Sequence, residues 1–240
     1  MLPISVRALP TEVSTFAGKS KAVAIIDVLR ATTVMATALH NGAQCIYTRA
    51  EIEDARRLKA ELGPEVLLCG ERQGKRIMGF DLGNSPFEFG EQTVKGKILV
   101  MCTTNGTRAV EAGLDAGMLV ALSFVNLSAV AKMLLERDLP VELLCAGTNG
   151  RFSLDDALCA GMVIAWLNAH TRVQIDDLGR VLLQLALQEG SITHKLRDCS
   201  HKIFLESSGF GADVQYCLEQ DRLDTIPVLS HRGCFVPYRS

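Results

Sequence analysis

The stretch Cys102-Thr103-Thr104-Asn105-Gly106-Thr107-Arg108 has the residue types of an anion site. Its glycine lets the backbone approach a ligand closely, and its hydroxyls donate hydrogen bonds. A helix beginning near Thr107 would add unpaired N–H groups and a favourable dipole. The bland alternative is a strand-to-helix turn in which a Thr or Asn merely caps the helix. Related loops recur, however, after Ile26, after Cys69 and after Cys145. Together the four loops hold Asp27, Arg30, Glu71, Arg72, Lys75, Arg76, Arg108, Asn149 and Arg151 besides Thr103, Thr104, Asn105 and Thr107.

Six of those side chains are basic, which with hydroxyl-rich glycine turns favours a small, multiply charged anion. Carboxylates Asp27, Glu71, Asp81 and Asp155 or Asp156 among them suggest a hard divalent cation bridging protein and phosphate oxygens, most naturally Mg2+. Such a metal polarises a phosphoryl group and acidifies a bound water, while arginines meet the developing charge. Each carboxylate also has a plainer use: Asp156 as a helix cap, Asp81 in a turn before Gly83, Glu71 as an arginine partner. Asp27, at the end of a buried strand, has the strongest claim.

Other signals are weaker. Gly18-Lys19-Ser20 lacks the earlier glycine of a nucleotide loop, Val13 standing there, and it precedes its strand. Asp27 lacks the second acid two residues on that marks aspartyl-nucleophile phosphatases, Leu29 standing there. His194 and His201 share a helix face and read as a surface or core stripe. The sequon Asn126-Leu127-Ser128 has no meaning in a cytosolic protein. Cys102 to Arg108 and Cys145 to Arg151 each have five intervening residues, the spacing of thiolate phosphatases. Against a thiolate, both cysteines end apolar runs.

The elements that must position these loops are legible. Ala22–Ile26, Gln44–Thr48, Val66–Cys69, Ile98–Cys102, Met118–Leu122 and Val141–Cys145 read as short strands. Ala31–His40, Glu51–Leu62, Thr107–Ala116 and Asn126–Arg137 read as the helices between them. The order repeats: one constant offset matches Cys69 with Cys145, Gly74 with Gly150, Lys75 with Arg151, Leu58 with Leu134 and Asp27 with Thr103. We therefore expect an α/β fold with α/β/α layers around a mostly parallel sheet. It is one domain over 1–240, built from two β-α-β-α-β repeats (about 22–97 and 98–160) with a mainly helical segment over 161–240. Ligands in such sheets sit at the carboxyl ends of strands. Beyond the repeats, Ser153-Leu154-Asp155-Asp156 has the form of a capping box before a helix over Ala157–Ala169. Gln174–Gln188, Thr193–Glu206 and Ala212–Gln220 read as further helices, and the tail holds one or two strands.

Bulk composition narrows the class. The 240 residues are 48% hydrophobic and 22% charged, as in soluble globular proteins, and the net charge of −2 disfavours nucleic acid and anionic membranes. No signal peptide or membrane span is evident. The eight cysteines form no Cys-x-x-Cys pair, so a reduced, cytoplasmic protein is expected. A homo-oligomer is compatible with all of this.

Asp27-Val28-Leu29-Arg30-Ala31-Thr32, Gly70-Glu71-Arg72, Gly79-Phe80-Asp81-Leu82-Gly83-Asn84-Ser85-Pro86, Thr103-Thr104-Asn105-Gly106-Thr107 and Cys145-Ala146-Gly147…Gly150-Arg151-Phe152…Asp155-Asp156 occur in order from about Val23 to Gly161. This series resembles that of the 2-phosphosulfolactate phosphatases. The resemblance implies Mg-dependent release of phosphate from 2-phospho-3-sulfolactate, a step associated with coenzyme M biosynthesis. That substrate carries phosphate, sulfonate and carboxylate, matching the polyanion inferred from the loops. The expected catalytic set is Asp27, Arg30, Glu71 and Arg72. The expected substrate-binding set is Asn84, Thr103, Thr104, Asn105, Gly106, Thr107 and Arg151. The expected metal ligands are Asp27, Glu71 and Asp155 or Asp156. The alternatives are a phosphatase for another small phospho-hydroxy acid and a non-catalytic binder of an anionic metabolite.

Overall fold

Short apolar runs rich in Val, Ile, Leu and Ala cannot remain exposed on either face, so they become central strands with helices on both sides. The computed structural model describes residues 1–13 and 21–239; Gly18-Lys19-Ser20 lies outside them. In chain order the strands and helices are β1 Leu2–Arg7, β2 Ala22–Ile26, α1 Ala31–His40, β3 Cys45–Thr48, α2 Ile52–Leu62, β4 Leu67–Arg72 and β5 Lys75–Arg76. Next come α3 Glu91–Val94, β6 Ile98–Cys102, α4 Gly106–Gly113, β7 Met118–Leu122, α5 Leu127–Arg137 and β8 Val141–Cys145. The last part is α6 Leu154–His170, β9 Val173–Ile175, α7 Asp177–Leu187, α8 Ile192–Lys195, α9 Ser200–Ser207, α10 Gly211–Cys217, β10 Pro227–Leu229 and β11 Phe235–Pro237.

These strands form one sheet in the order β5-β4-β6-β3-β11-β10-β7-β2-β8-β1-β9. Pairing is parallel within β4-β6-β3 and within β7-β2-β8-β1-β9. It is antiparallel through the β10–β11 hairpin that joins the two sets. The pairing does not follow the halves of the sequence: β2 lies between β7 and β8, and β6 lies between β3 and β4. Each strand that opens a run of the sequence pattern thus sits among strands of the other run.

Strand β2 shows why the layers close. Ala22, Ala24 and Ile26 pack in one core with α5 and α6 residues such as Leu127, Val130, Leu158 and Val163. Val23 and Ile25, on the opposite face, pack with Val34, Met35 and Leu39 of α1 and with Ala109 and Val110 of α4. The period of two puts alternate residues on opposite faces, and both faces are covered. A smaller core holds Ala55 of α2 against Val100 and Cys102 of β6.

The expected strands and helices of the first 150 residues are present with ends shifted by a few residues. Differences concentrate elsewhere. Strand β1, not foreseen, adds to the sheet beside β8. The expected helix from Gln174 begins instead with strand β9, whose Val173, Gln174 and Ile175 pair with β1. The expected helix over Thr193–Glu206 is broken into α8 and α9, with Cys199 as the N-cap of the second. The break puts His194 on exposed α8 and His201 on the first turn of α9, so they do not share one helix. Among the described residues, no helix is long and apolar enough to cross a membrane.

Candidate active site

The loops after β2, β6 and β8, the end of β4 and the start of α9 meet around a cavity of about 870 Å³. Of the expected residues, Asp27, Arg30, Glu71, Asn84, Thr103, Thr104 and Asn105 line it. Gln73, Lys75, Thr148, Asn149, Ser200 and His201 add polar lining, and Leu29, Phe204, Leu205 and Phe210 form an apolar wall.

Asp27 follows the buried end of β2. Its Oδ1 accepts the Ala31 N–H at 3.3 Å, and its own N–H donates to Thr32 Oγ1 at 3.1 Å. A Cβ at Gly106 would stand 2.8 Å from Asp27 Oδ2 and 2.7 Å from Ala31 Cβ, so glycine is needed for the starts of α1 and α4 to meet. Burial raises the Asp27 carboxyl to about 6, against the opposing pull of the His201 charge and the Ala31 N–H. Glu71 uses both oxygens on backbone, accepting Thr104 N–H at 2.9 Å and Gly74 N–H at 2.8 Å. It thereby ties the Thr103 loop to the β4–β5 turn, and it forms no ion pair with an arginine, its plainer alternative, among the described residues.

The Thr103–Thr107 turn splits its duties. Thr107 donates its hydroxyl to Thr103 O at 2.7 Å, and its N–H donates to Thr103 Oγ1 at 3.3 Å, so Thr107 serves the turn itself. Asn105 Oδ1 accepts the Asn149 N–H at 3.1 Å, holding the β6 and β8 loops together. Thr104 Oγ1 and Asn84 Oδ1 are buried without a hydrogen-bond partner among the described residues. Buried polar atoms normally find partners, so two orphans on residues lining one cavity mark where a ligand atom belongs.

The expected arginine clamp does not form. Arg30 does line the cavity, but its guanidinium is held by Asp213 of α10 at 2.5 Å and by Gly74 O at 3.1 Å, over the Phe210 ring. Arg72 turns away from the cavity, donating to Ala50 O, Glu71 O and Cys102 Sγ. Arg151 is exposed outside the cavity, where its backbone closes a turn with Thr148. Arg76 and Arg108 are exposed, and neither lines the cavity. Lys75 is the one lining lysine or arginine without an ion-pair partner among the described residues.

Asp155 and Asp156 are buried in the first turn of α6, outside the cavity lining. Asp156 accepts the Val28 and Gly147 N–H groups, each at 3.0 Å, so it pins two loops rather than capping its helix. Burial, with the charges of Asp155 and Asp27, pushes its carboxyl well above the ordinary range. Asp155 accepts from Ser153 Oγ and from His201 Nδ1, the latter at 3.2 Å. Burial works to raise its carboxyl, but His201 and Ser153 outweigh that and hold it below the usual value. Ser153 therefore serves Asp155 instead of closing the expected capping box. Asp81 takes Lys59 Nζ and the Leu68 N–H, both at 2.8 Å, and does not line the cavity either.

The four expected metal carboxylates thus do not share one site, and among the described residues no three His, Cys, Asp or Glu side chains form a ready cage. Asp27, Glu71 and the orphaned Asn84 Oδ1 nonetheless present hard oxygens to the same space. Magnesium is commonly held by one or two carboxylates with substrate oxygens and water, so this smaller set fits it. The cysteine alternative fits poorly. Cys102 and Cys145 are fully buried, neither lines the cavity, and burial pushes both thiols up, away from a thiolate.

Sequence reasoning read His201 as part of a surface or core stripe, whereas it lines the cavity, and it missed Asp213. Both come from the helical C-terminal part, and no local motif marks either. An α/β sheet whose strand-end loops surround a cavity with carboxylates, unpaired hydroxyl and amide oxygens and a lysine defines a class: a protein that handles small oxyanions. The chain belongs to the 2-phosphosulfolactate phosphatase family, whose model, described as 2-phosphosulpholactate phosphatase, matches residues 8–232. A relative from Carboxydothermus hydrogenoformans is 41% identical over 209 residues, covering 87% of this chain and 86% of its own. Relatives from Caldanaerobacter subterraneus subsp. tengcongensis (38% over 215 residues, 89% of each chain) and Clostridium perfringens strain SM101 (37% over 212 residues, 87% of this chain and 85% of its own) are similar. Each of the three is named "Probable 2-phosphosulfolactate phosphatase".

Proposed function

We propose that this phosphatase hydrolyses 2-phospho-3-sulfolactate to 3-sulfolactate and inorganic phosphate with Mg2+, in the cytoplasm, within sulfolactate or coenzyme M biosynthesis. The observation that carries the metal is electrostatic. Asp27 and Glu71 line the same cavity as Thr104 and Asn84, whose Oγ1 and Oδ1 lack partners among the described residues. A phosphate dianion set against two carboxylates is repelled unless a divalent cation lies between them. Asp27, Glu71 and Asn84 would hold that cation, which when bound neutralises charge on the phosphoryl oxygens and polarises phosphorus.

The chain's own groups do the rest. Thr104 donates its hydroxyl to a phosphoryl oxygen, satisfying an otherwise orphaned atom. Lys75 attracts the second anionic group of the substrate, sulfonate or carboxylate. The apolar lining of Phe204, Leu205 and Phe210 limits water in the cavity, which strengthens each of these polar contacts. Because Lys75 is the only lining lysine or arginine unpaired among the described residues, a less charged phospho-hydroxy acid is the second reading.

We also propose that residues 1–240 form a single domain descended from a duplication. In this reading the opening strands β2 and β6 have exchanged places between the two triplets. The strand orders β4-β6-β3 and β8-β2-β7 support it.

The functional test is phosphate release from 2-phosphosulfolactate, 2-phospholactate and phosphoglycerates, each with Mg2+ and with chelator. The expected outcome is Mg-dependent turnover highest on the sulfonated ester. Turnover unaffected by chelation but abolished by a thiol alkylator would overturn the metal reading. Equal rates on esters lacking the sulfonate would favour the second reading.

A further inference from the structure

We propose that His201 is the general acid that protonates the leaving oxygen, with Asp155, Ser153 and Thr148 as its positioning residues; this rests on the phosphatase reading above. His201 stands in the first turn of α9, where its Nδ1 is 3.2 Å from Asp155 Oδ2 and 3.1 Å from Thr148 Oγ1. Ser153 Oγ bonds both Thr148 Oγ1, at 2.8 Å, and Asp155 Oδ1. Four side chains from the β8 loop, α6 and α9 therefore close a ring of hydrogen bonds around one imidazole nitrogen. A carboxylate only accepts, so the proton in the His201–Asp155 bond belongs to Nδ1. That leaves Nε2, which has no hydrogen-bond partner among the described residues, as the nitrogen available to the cavity that His201 and Asp27 both line.

The same contacts favour the protonated ring. Burial pulls the His201 pKa down, and the Asp155 carboxylate more than offsets it, so the net shift is upward. An imidazolium with Nδ1 committed to Asp155 has one proton to give, on Nε2. The proposed substrate needs that proton. Its leaving group is the alkoxide of a secondary alcohol, and phosphoryl transfer through a loose transition state builds charge on the bridging oxygen. As the P–O bond to C2 breaks, its electron pair goes to that oxygen, which takes the Nε2 proton and departs as the alcohol. The attacking water forms the new P–O bond and releases one proton to solvent, and His201 regains one from solvent. No other reactant is required.

The test compares full-length wild type with His201→Gln and Asp155→Asn on 2-phosphosulfolactate and on 4-nitrophenyl phosphate, with Mg2+ present. His201→Gln is expected to lower kcat on the alkyl ester by about 10²–10⁴-fold with KM changed by less than about threefold, the range of a lost general acid. On the aryl ester, whose leaving group needs no proton, the loss is expected to stay under about tenfold. Asp155→Asn should shift the same ratio in the same direction. Equal losses on both esters, or a His201→Gln rate on the alkyl ester within about threefold of wild type, would overturn the role while leaving the phosphatase reading intact. If wild type hydrolyses only the alkyl ester, His201→Gly is assayed with added imidazole: restored turnover supports the acid, and none overturns it. A wild type that releases phosphate from neither ester overturns both readings.

Discussion

Asp27 shows how one residue can oppose the stability of the fold that holds it. Its carboxyl is buried at the cavity edge, where burial, with the charges of Asp155 and Glu71, raises it to about 6. In the unfolded chain an aspartate ionises near 3.9. Below about pH 4 both states are protonated and there is no penalty. Between about pH 4 and 6 the unfolded state ionises while the fold does not, so stability falls, and the loss is complete above about 6. Asp27→Asn keeps an oxygen for the Ala31 N–H and removes the ionisation. We predict that it stabilises the metal-free protein by roughly 1–3 kcal/mol at pH 7.5, with the gain shrinking toward pH 4, as read by urea denaturation across pH. Its phosphatase turnover should fall by orders of magnitude at the same time. An unchanged or lower stability at pH 7.5 would mean that Asp27 is not held at an energetic cost.

At the scale of elements, the site depends on α6 more than on any strand. Its first turn carries Asp155, which orients His201, and Asp156, which pins the Val28 and Gly147 loops. The helix is apolar nearly all round, as a buried helix must be. It meets α7 at Gly161, where a Cβ would stand 2.2 Å from the Leu182 carbonyl oxygen. A backbone oxygen cannot move aside as a side chain end can, so the two helices would have to separate. Gly161→Ala is expected to destabilise by roughly 3 kcal/mol or more, measured by thermal or urea unfolding. Because α6 leads directly to Asp155 and Asp156, turnover of the folded fraction should fall as well. A variant as stable as wild type would show that the α6–α7 contact can relax.

Across the whole molecule, the β10–β11 hairpin joins two parallel sets of strands, and the loops of both sets line one cavity. Phe235 is its main anchor: fully buried, paired in register with Ile46, and packed in the core beneath α1. Phe235→Ala should cost about 3–5 kcal/mol. If the hairpin unites the two sets cooperatively, urea unfolding should remain one transition at a lower midpoint; two separated transitions would mean the sets fold apart. The sequence alone was enough to define the alternating strands and helices, the mostly parallel sheet and the loops bearing Asp27, Glu71 and Thr103–Asn105, because period, apolar runs and turn residues are local properties. It also carried the family, and with it Asn84, through five motifs in order. Which arginines face the cavity, which carboxylates are already hydrogen-bonded, how β2 and β6 are flanked, and the arrival of His201 and Asp213 from the C-terminal helices were decided only by tertiary structure. Arg72 and Arg151 have the same charge and loop setting as Arg30, and Asp155 the same chemistry as Asp27. Their roles diverge because packing sets which polar atoms find partners inside the protein and which, like Thr104 Oγ1 and Asn84 Oδ1, are left for a ligand.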